Sequence, residues 1–569
     1  MLKDFKIINY LIKKKEKRTL FVLIFLLIIG MFFEIIGLGI IFPVLKIVLD
    51  PSIVYGYFEN TFFYDSIIDL KKKTLIAFFL IILVFVYLIK TFFLIFLTYR
   101  QNKILQNLNK QLTNTLFSKY LFQEYESYIS SHTSSSLKNI QVEVPIIINY
   151  FGAWMTIIIE SFLIISVLGT LIYIEPFGAI LIGVFFTFFS LSFSFLSKNK
   201  LKSWGFIKHK IEGEKSKLLV ESFGGFKEYK ILGKQEKVVS RLSDINNLKS
   251  NIQTNYITLA QTPRFLLEFI SITGLVIFIL ILLSQDNNIE KLISVIGVFV
   301  AATFRMIPSL NRIVSQSQHL KHDRISLISI YNELKNLNLT VDSSTYKDSL
   351  KEDFLFQNKI ELNNISLVYK NKPLQILNNF NLCVSKGDII GIMGPSGSGK
   401  SSVINILLGL IKPTKGEVLI DNFNIHNDIN SYRKLLGYVP QDIFLIDDTL
   451  EKNIALGLND SDIDNLKVKK CIELSQLKDF VEVLPKGVKT FVGERGVQIS
   501  GGQKQRIGIA RSLYNEPEIL IFDEATSALD NETELDVMKS IYGLSKNKTI
   551  IIVSHRLNTL SKCNKIIKL

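Results

Sequence analysis

Gly394-Pro395-Ser396-Gly397-Ser398-Gly399-Lys400-Ser401-Ser402 follows the apolar run Ile389–Met393 and leads into Ser402–Leu410, which is apolar at helical spacing. Strand, glycine-rich loop and helix in that order make the pattern G-x-x-x-x-G-K-[ST] a phosphate site. Glycines let successive backbone N–H groups turn inward around a phosphate. The helix start adds unpaired N–H groups and the positive end of its dipole. Lys400 is expected to reach the β- and γ-phosphates of a nucleoside triphosphate, and the Ser401 hydroxyl to ligate Mg²⁺.

Outside this loop the chain changes character. It has 569 residues, 48% of them hydrophobic, which is too long for one ordinary core. The apolar excess lies almost entirely before residue 315, as membrane spans require. Net charge is +15, but the cations concentrate in loops beside apolar segments. Positive-inside bias predicts that distribution, whereas a nucleic-acid binder would gather them on one folded face. Cys383, Cys471 and Cys563 fit neither a disulfide framework nor a zinc site, and the six histidines are scattered.

Six apolar stretches, about 19–49, 74–98, 146–174, 177–197, 265–284 and 289–310, each approach the ~20 residues that cross a bilayer. The first follows a Lys/Arg-rich start and lacks a small-residue cleavage site, so it reads as a retained span. Six spans and a basic N-terminus put both ends in the cytosol. The segments 99–145 and 198–262 continue the helical pattern and carry turn-like breaks at Tyr125–Ser136 and Glu221–Phe226. Segment 50–73 reads as external, with a short helix on the outer surface. The expected architecture is an α-helical six-span transmembrane bundle in residues 1–330, a polar linker at 331–353, and an α/β P-loop domain over 354–569.

In that second domain, the apolar strand Ile519–Phe522 ends in Asp523 and Glu524. Such a strand sets Asp523 beside the phosphates to hold Mg²⁺, and lets Glu524 orient or deprotonate the attacking water. Ser500-Gly501-Gly502-Gln503 opens an amphipathic helix, a second N–H cradle for a γ-phosphate; standing alone it would read as a helix cap. Together with Gln441, Ser527–Asp530 and Ser554-His555-Arg556, these motifs resemble the ATP-binding cassette (ABC) family across 354–569.

That resemblance implies further roles. Tyr369 would stack on adenine, Gln441 would touch Mg²⁺ and the membrane domain, and His555 would contact the γ-phosphate and position Glu524. Ser500 and Gly502 would complete the site of a partner chain in a homodimer that sandwiches two ATP molecules, with Asp530 linking the sites. Ile499 stands where the signature usually has Leu. Six spans ahead of one cassette, with Gly493-Glu494-Arg495-Gly496 before the signature, resemble the exporter type. This implies a bacterial inner-membrane location.

Ionisable residues inside spans are costly and so point to function. Lys90, Arg264, Arg305 and Arg312 stand at similar expected depth, a candidate cavity for an anionic lipid headgroup. The alternative is snorkelling, or pairing with Glu34, Glu160 or Glu268. Phe304–Ile313 and Thr262-Pro263-Arg264 with Glu268 are similar to PglK-type flippases of lipid-linked oligosaccharides, although Lys90 stands where an Arg would be expected. A general exporter of lipids, drugs or peptides is the competing reading. A third reading, a non-transporting cassette ATPase acting on nucleic acid or ribosomes, is argued against by the six spans.

Overall fold

The structure, a computed structural model, describes residues 2–12, 14–49, 72–174, 176–283, 289–337, 356–369, 374–493, 499–525, 531–543, 548–556 and 558–569. The expected external segment 50–73 lies almost wholly outside these, as do Asp530 and Glu494–Gly496. The chain separates into two compact units, 1–123 with 131–340 and 124–130 with 341–569.

The helical unit begins with α1 (Leu2–Leu11), α2 (Lys14–Leu49) and α3 (Lys72–Leu121). After α4 (Tyr125–Ser130), which clusters with the second unit, come α5 (Thr133–Lys138), a π-turn at Asn139–Glu143 and α6 (Val144–Ile174). Then follow α7 (Pro176–Gly224), α8 (Phe226–Ile231), α9 (Gln235–Leu283) and α10 (Ile289–Asn336). Each of the six expected stretches falls inside one long helix, residue 284 lying outside the described residues. Among the described residues, three segments are long and apolar enough to cross a membrane: Glu16–Gly37, Lys73–Leu121 and Thr133–Gly169. The 50-residue α3 is about 75 Å long at 1.5 Å per residue, well beyond the ~30 Å hydrocarbon. Helix α10 runs on to Asn336, so 331–336 is helical where a linker was expected; buried Leu334 anchors this last turn. Residues 338–353 of that linker lie outside the described residues.

Away from the apolar stretches, the helices are joined by buried polar groups. Glu143, in the π-turn, is fully buried and meets Lys138 Nζ and His209 Nδ1, each at 2.9 Å. A Cβ on Gly205 of α7 would stand 2.0 Å from the His322 carbonyl oxygen of α10, so this glycine permits backbone to approach backbone.

Among the described residues, the second unit holds two sheets. One is antiparallel, ordered β2 (Gln375–Ser385), β1 (Lys359–Val368), β4 (Lys415–Ile420), β5 (Phe423–Asn424). The other is parallel, ordered β6 (Leu436–Val439), β7 (Ile519–Asp523), β8 (Thr549–Val553), β3 (Ile389–Met393), β9 (Lys565–Lys568). A parallel strand covered on both faces reads as an unbroken apolar run, as β3, β7 and β8 do. Alternation then sorts the faces: Ile390, Ile392, Ile519, Ile521 and Ile551 enter one core cluster, while Ile389, Leu520, Phe522, Ile550 and Ile552 enter the other. Helices α11 (Lys400–Leu407), α12 (Asn465–Leu474), α13 (Gly501–Leu513) and α14 (Asn531–Gly543) accompany the sheets.

Candidate nucleotide site

In an open parallel sheet, ligands bind beyond the carboxyl ends of the strands. Four adjacent strands here carry expected site residues at that end. The loop Gly394–Gly399 follows β3, Gln441 follows β6, Asp523 and Glu524 close β7, and His555 follows β8. Sequence-distant residues thus meet because their strands are neighbours.

Within the loop, Gly397 (φ 85°) and Gly399 (φ 99°) adopt left-handed conformations that side chains resist. Lys400 is buried at the start of α11, and its Nζ donates to the carbonyls of Gly394 at 2.9 Å and Pro395 at 3.0 Å. Ser398 Oγ is buried with no hydrogen-bond partner among the described residues. Pro395 and Ser396 are exposed, as is Ser401, while Ser402 is buried. The Tyr369 hydroxyl lies 3.2 Å from Ser402 Oγ, which ties the expected adenine-stacking ring to the first turn of α11.

The two acids sit in contrasting surroundings. Burial, and then the neighbouring Glu524 charge, push the Asp523 carboxyl above its usual range; Tyr438 hydrogen bonding and the Lys400 charge oppose this. Such a carboxylate is suited to a cation, which would relieve both effects. Glu524 has φ 48°, rare for a side-chain-bearing residue, and its N–H donates to Val553 O at 2.9 Å. Its carboxylate is gripped from two sides: Gln441 Nε2 donates to Oε2 at 2.9 Å, and His555 Nε2 lies 2.6 Å from Oε1.

Ser500 caps α13. Its Oγ accepts from Gln503 N at 3.2 Å, and Gln503 Oε1 accepts from Ser500 N at 2.9 Å, a reciprocal capping box. The helix-cap reading of this motif therefore holds locally. Ser500 and Gly501 are nevertheless exposed, so the first turn of α13 remains open to a ligand.

Residues 377–527 match the family described as ABC transporter. The cassette is that of an ABC transporter. The chain is 26% identical to an ATP-dependent lipid A-core flippase of Ralstonia nicotianae, over 83% of this chain and 79% of that one. It is 42% identical to the leukotoxin export ATP-binding protein LtxB of Aggregatibacter actinomycetemcomitans, over 41% of this chain and 32% of the relative. Among solved structures it resembles a bacterial Atm1-family ABC exporter with ATP bound, at TM-score 0.75 and 21% identity, covering 97% of this chain and 93% of that one. The fold is therefore that of an exporter-type half transporter, and the chain is an ATPase coupled to transport.

Of the four expected headgroup cations, two are paired with carboxylates within the chain. Arg312 Nε lies 2.5 Å from Glu160 Oε1, and its Nη2 donates to Oε2 at 3.2 Å. Arg264 pairs with Glu268 one turn on, at 3.5 Å. Lys90 is buried, with its Nζ 5.0 Å from the Tyr87 ring centre. Arg305 lies in α10, but its side chain is outside the described set. A cavity of about 360 Å³ between α9 and α10 is lined by Glu268, Ser271, Ile272, Phe304, Ile307 and Pro308 among others, and by none of the four cations among the described residues. The paired arrangement named as the alternative is thus present for Arg264 and Arg312. The Tyr438 hydroxyl beside Asp523 was missed, because an aromatic at the end of a strand carries no motif.

Proposed function

We propose that two copies of this chain form a homodimer in the bacterial inner (plasma) membrane, six helices per copy crossing the bilayer and the cassettes in the cytosol. ATP hydrolysis would flip an anionic lipid-linked oligosaccharide or related glycolipid from the cytosolic to the outer leaflet. The observation that most supports the enzymatic half is the Glu524 carboxylate held between Gln441 and His555 at the end of β7.

In this reading the N–H groups of Gly394–Gly399 take the phosphates of ATP. Lys400 leaves its two loop carbonyls for the β- and γ-phosphate oxygens, while Tyr369 meets adenine. Ser401, Gln441 and Asp523 would hold Mg²⁺, which when bound neutralises charge on the phosphate oxygens. Glu524 takes the proton of the attacking water, with His555 fixing one carboxylate oxygen and facing the γ-phosphate. The exposed first turn of α13, from Ser500 and Gly501 to Gly502 and Gln503, is offered to the nucleotide of a second copy. Asp530 would link the two sites.

For the substrate, the support is twofold: the lipid named in the Ralstonia relative, and the similarity of 304–313 and 262–268 to PglK-type flippases. Lys90, Arg264, Arg305 and Arg312 would receive the headgroup, with phosphate oxygens replacing the carboxylates of Glu160 and Glu268 on the arginine forks. The apolar, single-acid cavity between α9 and α10 favours a second reading, a general ABC exporter of lipids, drugs or peptides. ATPase stimulation in nanodiscs separates them. A polyprenyl-diphosphate oligosaccharide should stimulate the wild type, and Arg312→Gln should reduce that stimulation. Stimulation by apolar amines or peptides alone would favour the second reading.

A further inference from the structure

His555 stands on a short connection whose two sides are anchored differently. On the strand side, Ser554 N donates to Ile392 O of β3 at 3.3 Å, and Ser554 Oγ accepts from Arg556 N at 3.0 Å. These bonds turn the chain at the histidine but leave its far side to be held by something else. That holder is Glu534, in the first turn of α14. An acid there would ordinarily need no explanation beyond the helix dipole. Yet this carboxylate is buried, and its two oxygens divide between the histidine connection's next residues. Arg556 Nη1 donates to Oε2 at 2.7 Å and Thr559 Oγ1 donates to Oε1 at 2.8 Å. The same helix also reaches this connection through the Tyr542 hydroxyl, which donates to Thr559 O.

We propose that Glu534 is a positioning residue for ATP hydrolysis: its carboxylate clamps Arg556 and Thr559, and so holds His555 against Glu524. The clamp begins in the helix that directly follows residues 527–530. This rests on the reading of Glu524 and His555 given above. A charge-assisted bond to a buried carboxylate restricts geometry more than a neutral bond does. Small misplacement of a positioning group lowers turnover rather than nucleotide affinity, because the interaction it serves is strongest in the transition state.

The test uses the full chain in lipid nanodiscs with Mg²⁺ and ATP, recording phosphate release and ATP dependence. Glu534→Ala should lower kcat on the order of 10- to 100-fold, the scale of a displaced catalytic geometry, while KM for ATP stays within about twofold. Glu534→Gln keeps the shape and an oxygen for Thr559 but loses the charge opposite Arg556, so its loss should be smaller. The exchange Glu534→Arg with Arg556→Glu should recover much of the kcat lost in either single variant. An unchanged kcat in Glu534→Ala would overturn the inference. So would a fall in kcat matched by a rise in KM and no recovery in the exchange, the pattern of mere loosening. Glu524→Gln in the same assay separates the levels: if it retains full turnover, the reading of Glu524 fails first, whereas if it is inactive and Glu534→Ala is normal, only the clamp fails.

Discussion

The helical unit and the cassette both carry charged side chains in quantity, and they place them oppositely. In the cassette, Gln441, Glu524, His555 and Ser500 stand at strand ends or a helix start, partly exposed, with bonding capacity left for a ligand. In the helical unit a few charges away from the apolar stretches are buried and paired with one another. Glu143 takes Lys138 and His209, Asp4 takes Arg324 at 2.9 Å, and Glu212 takes Lys249 at 2.5 Å. A helix satisfies its own backbone, so side chains must say which helix neighbours which. Polar groups in the first case are arranged for chemistry; in the second they register one long helix against another.

Substitutions sharpen that contrast. The largest effect is expected at the open site: Glu524→Gln should lower ATP turnover by about 10²- to 10⁴-fold while ATP binding persists, read by nucleotide binding and phosphate release on one sample. Next is the closed site. Glu143→Ala leaves Lys138 and His209 facing one another without their carboxylate, and should destabilise the chain by about 3 kcal/mol, seen as a lowered melting temperature. Normal melting in that variant would remove the claim that buried charges register the helices. Gly205→Ala comes third, since its methyl meets the fixed His322 carbonyl; a cost of about 1–3 kcal/mol is expected. The same change at cassette Gly508 meets the end of the Ile443 side chain, which can rotate away, and should cost less.

The smallest effect is one of pH. Burial holds His319 below the usual imidazole value, with Asp323 opposing and His322 and Lys208 adding to the shift. A group lowered in the folded state binds fewer protons there than when unfolded. Its stabilising contribution is therefore full above the unfolded value of about 6.5 and is lost as pH falls below it. The melting temperature should drop on acidification through that value, and His319→Gln, which keeps a polar side chain beside the Tyr256 hydroxyl at 2.5 Å, should flatten the drop.

These differences also explain what could be read beforehand. The phosphate loop and the Asp523-Glu524 strand end were legible because a phosphate and a cation demand particular residue types at short, fixed spacing. The apolar stretches were legible as helices, but their ends were not. Helix α10 continues to Asn336 because a polar surface does not stop a helix, and only a cap or a breaker does. Contacts between residues far apart in the chain were the least legible. Glu160, 152 positions from Arg312, was only one of three acids open for pairing, and nothing pointed to the bond between Glu534 and Arg556, 22 positions apart, because no spacing rule joins such pairs. Ser500 was legible as a helix cap, because its hydroxyl and Gln503 three residues on form the reciprocal pair at the start of α13.

The central claim is that hydrolysis at the end of β7 drives a lipid across the bilayer. It is tested most directly in proteoliposomes containing a fluorescent polyprenyl-diphosphate oligosaccharide, with its accessibility to an external quencher followed after ATP addition. Wild-type protein should change that accessibility in an ATP-dependent way, and Glu524→Gln should not. Equal movement in the two proteins, or none in either while the wild type hydrolyses ATP at full rate, would contradict the account.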